Sequence, residues 1–141
     1  NGYRLLFLRP ETAAVPNYNL ETGLHEEHKR RELMKDSTDL QLSHEMFYED
    51  VCYFDKVVSR QVELLNSENT GVRVDYPDFT SLGVWQAKDA PFLCIEPWCG
   101  SADFDDCSGV FAEKRGIEIL APGAEKTFTY AITAVEHKAK V

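Results

Sequence analysis

No run of apolar residues in this sequence approaches the roughly 20 needed to cross a bilayer as a helix. No basic start leads into an apolar stretch and a small-residue cleavage site, so no secretory leader is visible. No Cys-x-x-Cys pair exists. Cys52, Cys94, Cys99 and Cys107 leave four and seven residues between the last three, which misses the common structural zinc spacings. Basic residues are short as well: fifteen Lys and Arg against twenty-four Asp and Glu give a formal charge of −9. That sign argues against nucleic acid or an anionic membrane as partner, because both are polyanions that repel such a chain. There is no internal repeat and no low-complexity tract. The chain also lacks an initial Met and runs from Asn1 straight into the apolar stretch Tyr3 to Leu8. We therefore expect a processed, cleaved or trimmed product.

What is present is an ordinary globular composition, 43% hydrophobic and 28% charged over 141 residues, which by length is one domain. Without a leader, free thiols in a cytoplasmic protein are the expectation for the four cysteines. Of the four histidines, His25 and His28 could offer two imidazoles at i and i+3 on a helix. A solvated charged stretch running on through Lys29, Arg30 and Arg31 is the favoured reading.

Strand patterns dominate the chain. Residues 3–8 predict a strand that ends at Arg9-Pro10, and residues 10–17 an irregular connection. Residues 18–42 predict short strands broken by turns at Gly23 and at Lys35 to Thr38. Ser43 can cap one helical turn over 43–48. Residues 51–54 are an all-apolar strand, Val57 to Leu65 and Val72 to Tyr76 flank a turn at 66–71, and Leu82 to Trp85 and Phe92 to Glu96 flank a loop. Residues 99–111 are a long loop rich in Gly, Asp and Ser. Ile117 to Leu120 and Lys126 to Val135 flank the turn Ala121-Pro122-Gly123-Ala124. In the last strand Phe128, Tyr130 and Ile132 predict a buried face, opposite a wet face of threonines. Many short strands and almost no helix predict an all-β fold, an antiparallel sandwich or barrel.

The stretch from Leu82 to Gly100 carries the chemistry. Alternation puts Phe92, Cys94, Glu96 and Trp98 on one side, Leu93 and Ile95 on the other. Glu96 then ends an apolar strand among aromatic and thiol neighbours, where a carboxylate is costly unless it is partnered or opens into a cleft. Pro97 is expected to hold Glu96 extended and to break the ladder. Aromatic faces stack on the C–H faces of sugar rings, and carboxylates take hydrogen bonds from sugar hydroxyls. A strand-end Glu paired to an Arg or to backbone N–H groups is the alternative.

Leu82-Gly-Val-Trp85, Ala90-Pro-Phe-Leu-Cys-Ile-Glu-Pro-Trp98, Gly100-x-Ala-Asp103, Glu113-Lys-x-Gly-Ile117 and Leu120-Ala-Pro-Gly123 resemble the closing motifs of the aldose 1-epimerase (galactose mutarotase-like) family. Upstream, Phe47-x-x-Asp50, Ser59-Arg-x-Val62 and Gly71-Val-x-Val74 fit in the same order, so the resemblance covers roughly residues 1–137. It implies a large antiparallel β-sandwich about twice this length, with this chain as its C-terminal half. It implies interconversion of the α and β anomers of a free aldose through a ring-opened aldehyde, without metal or cofactor. A glutamate takes the anomeric proton and a histidine protonates the ring oxygen, one base and one acid on opposite sides of a ring.

Residue by residue, the resemblance puts the catalytic base at Glu96 and a sugar-binding carboxylate at Asp50, with Trp98 as a wall of the cleft. The acid histidine falls upstream of residue 1, so the chain holds half of the acid–base pair and its missing N-terminal half is an expected partner, beside a small-molecule sugar. Asp103, Asp105 and Asp106 read as a solvated acidic loop. Arg60 and Arg73 would bind an anionic group such as a sugar phosphate, or pair with the surplus carboxylates. Two other functions stand beside the epimerase: a non-catalytic sugar- or sugar-phosphate-binding relative, and a cysteine-based metal or redox module.

Overall fold

The computed structural model describes residues 2–138. Among these described residues eight strands follow one another: β1 (Arg4–Asn19), β2 (Leu24–Gln41), β3 (Cys52–Phe54), β4 (Gln61–Leu65), β5 (Thr70–Asp75), β6 (Ser81–Trp85), β7 (Cys94–Trp98) and β8 (Ala131–Glu136). They form a five-stranded sheet in the order β2-β1-β4-β5-β8 and a three-stranded sheet in the order β3-β6-β7. Every strand pairing is antiparallel. The only helical pieces among the described residues are two short 3₁₀ turns, His44–Phe47 and Phe111–Glu113. The all-β antiparallel sandwich expected from the patterning is the observed class. No helix among the described residues is long and apolar enough to cross a membrane.

The core lies between the sheets. Leu5, Phe7, Ala13 and Val15 of β1 point inward at odd positions and meet Phe54, Leu82 and Val84 from the smaller sheet. Phe7 and Phe54 touch with ring centroids 5.5 Å apart. Leu93 and Ile95 pack against the same core, which leaves Cys94, Glu96 and Trp98 on the other face of β7, as alternation requires.

Several elements differ from expectation. β1 does not stop at Pro10 but continues through Pro16 to Asn19, paired with β2 in a long ribbon. Pro10 falls inside a register shift between Leu6 and Glu11, and past Phe7 the strand has left β4 behind, so a missing N–H can face an open side. A buried carboxylate, Glu11, holds this bend. It accepts the Ser59 N–H at 2.7 Å and the Val58 N–H at 3.2 Å. Lys35 to Thr38 is no turn; it is absorbed as a bulge in β2, with Asp36 at a φ of 46°. The turn at Gly23 is present and closes the ribbon. Ser43 precedes the expected helical turn but makes no capping hydrogen bond with its side chain.

β7 runs to Trp98, and Pro97 pairs opposite Leu82 without breaking the ladder. An edge strand tolerates it, because one of its sides needs no donor. Ile117 to Leu120 forms no strand, and β8 begins only at Ala131. The face expected to be buried is open: Tyr130 is 58% and Ile132 65% exposed. β8 is itself an edge, paired to β5 alone, and among the described residues no second layer covers it.

Candidate functional site

One cavity of about 250 Å³ is lined by Tyr18, His25, Asp50, Val51, Trp85, Glu96, Trp98 and Ala102. It brings together the three residues singled out in the sequence, Glu96, Asp50 and Trp98. A larger cavity of about 510 Å³ lies elsewhere, between Tyr3, Leu64 and the Ala90–Leu93 stretch, and contains none of the three.

Each wall has a local cause. Glu96 pairs opposite Gly83 in the edge strand β7 and is half-buried. Cys94, two residues back on the same face, sits beside it. Burial pushes the Cys94 thiol up, and the neighbouring Glu96 carboxylate pushes the same way. Trp98 lays its ring over Gly83: a Cβ at that position would stand 2.9 Å from the Trp98 Cζ2 atom. The Trp98 carbonyl takes the Thr80 N–H at 3.2 Å and the Ser81 hydroxyl at 3.1 Å, which fixes the end of the strand. Asp50 follows the 3₁₀ turn with a φ of 95°, a left-handed conformation that costs a non-glycine residue about 1–3 kcal/mol. Its N–H bonds the Phe47 carbonyl at 3.2 Å and its Oδ1 accepts the Val51 N–H at 2.7 Å.

The site extends into the ribbon. Tyr18 and His25 face each other across the β1–β2 hairpin. His25 is 1% exposed, so the solvated reading fails for it; in a strand it points inward while His28 stays exposed. Its ring stacks on Tyr53 at 4.9 Å and 19°, and Tyr53 in turn meets Trp98 at 5.4 Å. Tyr18 and Phe104 close the other sides at 5.3 and 5.1 Å. Burial lowers the His25 pKa below its ordinary 6.5, against the pull of the Asp55 and Asp50 charges. The run of charges through Lys29, Arg30 and Arg31 favours a solvated stretch, and that hides the inward place of His25. The signal was the turn at 20–23, which in a hairpin sets an aromatic residue opposite a histidine.

A charged network holds this end of the ribbon. Arg30 grips both oxygens of Asp55 at 2.9 and 2.8 Å and donates to Glu27 at 2.6 Å. Arg115 reaches Glu27 at 2.8 Å and Asp106 at 2.6 Å, and its guanidinium lies 4.1 Å from the centre of the Phe104 ring. Asp103 pairs with Lys114 at 3.1 Å and Asp105 accepts the Glu27 N–H at 3.1 Å. The three loop aspartates are thus structural anchors for the segment that carries Phe104. Arg73 of β5 pairs with Asp75, and Arg60, which lies just before β4 rather than in a strand, donates to the Val57 and Ser59 carbonyls.

Two carboxylates against a wall of tryptophans can accept hydrogen bonds from a polyhydroxylated ring and stack on its C–H face. The chain is similar to LacX. It is 29% identical over 133 residues to the chromosomal and to the plasmid LacX protein of Lactococcus lactis subsp. lactis. The match takes in 93% of this chain but 44% of LacX, so the chain spans less than half the length of these curated relatives. No family model and no solved structure matches it.

All four cysteines are unpaired, and among the described residues no group of three or more His, Cys, Asp or Glu side chains is placed to hold a metal ion.

Proposed function

We propose that this chain is the C-terminal half of a mutarotase-like β-sandwich enzyme that interconverts the anomers of a free aldose. The observation that carries this reading is the convergence of Glu96, Asp50 and Trp98, from separate parts of the chain, on one cavity. Glu96 takes the proton of the anomeric hydroxyl, the C1–O5 bond opens, and the aldehyde forms. Rotation about C1–C2 presents the other face for closure. Asp50 binds ring hydroxyls, and Trp98 stacks on the apolar face of the sugar. The acid that protonates the ring oxygen is a histidine supplied upstream of residue 1. The length of LacX beyond the matched stretch supports a chain that is one part of a longer domain. The unpaired thiols suit a reducing, cytoplasmic setting.

Glu96→Gln in the intact protein tests this reading. Positioned acid–base groups contribute about 10²–10⁴-fold, so mutarotation of D-galactose or D-glucose, followed by polarimetry, should fall by at least that range. Sugar affinity should change far less, because glutamine still meets a hydroxyl. Undiminished turnover in the variant removes Glu96 from the chemistry. Sugar binding by a parent protein without any turnover favours a non-catalytic sugar-binding protein instead.

A further inference from the structure

The cavity contains a polar side chain to which the epimerase reading gives no task. His25 is fixed at both backbone groups: its N–H bonds the Asp103 carbonyl and its carbonyl takes the Asp105 N–H, each at 2.8 Å. Its ring is sandwiched by Tyr53, Tyr18 and Phe104. A phenyl ring would satisfy every one of those contacts. An imidazole adds two nitrogens that need partners, one a donor and one an acceptor when the ring is neutral. Yet Nδ1 is buried and has no hydrogen-bond partner. A buried polar atom left unmatched costs free energy, and such atoms are rare without a reason. The same ring lines the cavity with Glu96 and Asp50.

We propose that His25 is a ligand-binding residue of this cavity, whose imidazole hydrogen-bonds a hydroxyl of the bound aldose. The inference rests on the aldose reading above and extends it to a residue for which that reading has no role. Ionised carboxylates only accept hydrogen bonds, so Glu96 and Asp50 each engage a hydroxyl through its proton. The oxygen lone pairs of those hydroxyls then need donors, and an imidazole N–H supplies one. A half-turn about the Cβ–Cγ bond exchanges Nδ1 with Cδ2 while the ring stays in its stack. Because the ring lines the cavity, a ligand hydroxyl there would supply the partner that the imidazole nitrogen lacks.

The test uses the intact protein and His25→Phe, which keeps the aromatic packing and removes both nitrogens. Binding of D-galactose and D-glucose is measured by calorimetry, mutarotation by polarimetry, and stability by thermal melting. Loss of one net hydrogen bond should raise Kd and KM roughly 3- to 10-fold. The kcat should stay within about twofold and the melting temperature should hold or rise, which a purely structural histidine would not produce. A second measurement needs no variant: the His25 ring resonances, assigned through their contacts with Tyr53 and Phe104, should shift when either sugar is added. Unmoved resonances, or a His25→Phe protein with parental Kd and KM, overturn the proposal while leaving the aldose reading intact. A parent protein that binds neither sugar overturns both.

Discussion

Gly83 offers the sharpest test of how the Trp98 wall is built. It lies in β6, between Tyr53 on β3 and Glu96 on β7, and it has no positive φ. The backbone therefore does not require glycine; the Trp98 ring does. An alanine Cβ would sit 2.9, 3.0 and 3.3 Å from the Trp98 Cζ2, Cε2 and Cη2 atoms, where ordinary contact begins at 3.4 Å. The indole would have to move by about half an ångström, with the Tyr53 ring packed against it at 5.4 Å. Overpacking of this kind costs about 1–3 kcal/mol. Alanine recovers about 0.4–1 kcal/mol by narrowing the unfolded ensemble. Gly83→Ala should therefore lose up to about 2.5 kcal/mol in equilibrium urea unfolding. In a Trp98→Ala background the clash is gone, and the same substitution should be neutral or stabilising by up to about 1 kcal/mol. The double-mutant cycle should return a coupling of about 1–3 kcal/mol with unchanged m-values. A Gly83→Ala penalty that is the same in both backgrounds would refute the account of Trp98 resting on a missing Cβ.

Three further outcomes follow from features around the site. Asp50→Gly releases the strain at a φ of 95°, so thermal stability should hold or rise while sugar affinity falls; a clear loss of stability would mean that the bond to Val51 outweighs the strain. Hydrogen bonds led by that from Arg30 draw the Glu27 carboxyl from its ordinary 4.5 to about 2, against the opposing effect of burial. A depressed carboxyl stabilises the fold above pH 4.5 and loses that contribution as pH falls toward 2, so melting temperature should drop across this window in the parent and less steeply in Glu27→Gln; parallel curves would discount the network. The open apolar face of β8 should make the 141-residue chain self-associate in sedimentation velocity, and Ile132→Lys should shift it toward monomer; a monomeric parent would count against a missing covering half.

The short strands were legible because their signals are local. Asn66 to Gly71 and the stretch before Pro77 bound β4 and β5 much as turn chemistry predicts. Alternation along residues 92–98 separated the core-facing Leu93 and Ile95 from Glu96 and Trp98. The ribbon was not legible, because prolines at 10 and 16 and the Lys35 to Thr38 cluster look like breaks. They are tolerated where a strand has one neighbour or a bulge, and neighbours are set by tertiary structure. The same limit hid His25, whose burial comes from Tyr53 and Phe104, residues distant in sequence. Ile117 to Leu120 shows the reverse case: β-prone residues with no strand beside them to complete a ladder.

The β1–β2 ribbon also bears on how such a site can change. Only its root, Arg4–Phe7, is flanked by β4; its tip carries Tyr18 and His25 to the cavity, beyond four register shifts. Each shift accommodates an unequal count of residues on the two strands. A matched gain or loss of one residue in each strand, around Thr12 and Asp36 for instance, would turn every side chain between those points and the tip to the opposite face of the ribbon. Tyr18 and His25 would leave the cavity together, and Asn17 and Glu26 would take their places. Length variation at a point remote from the cavity can thus exchange an aromatic, imidazole-bearing wall for an amide and a carboxylate in one step, without a single substitution at the site.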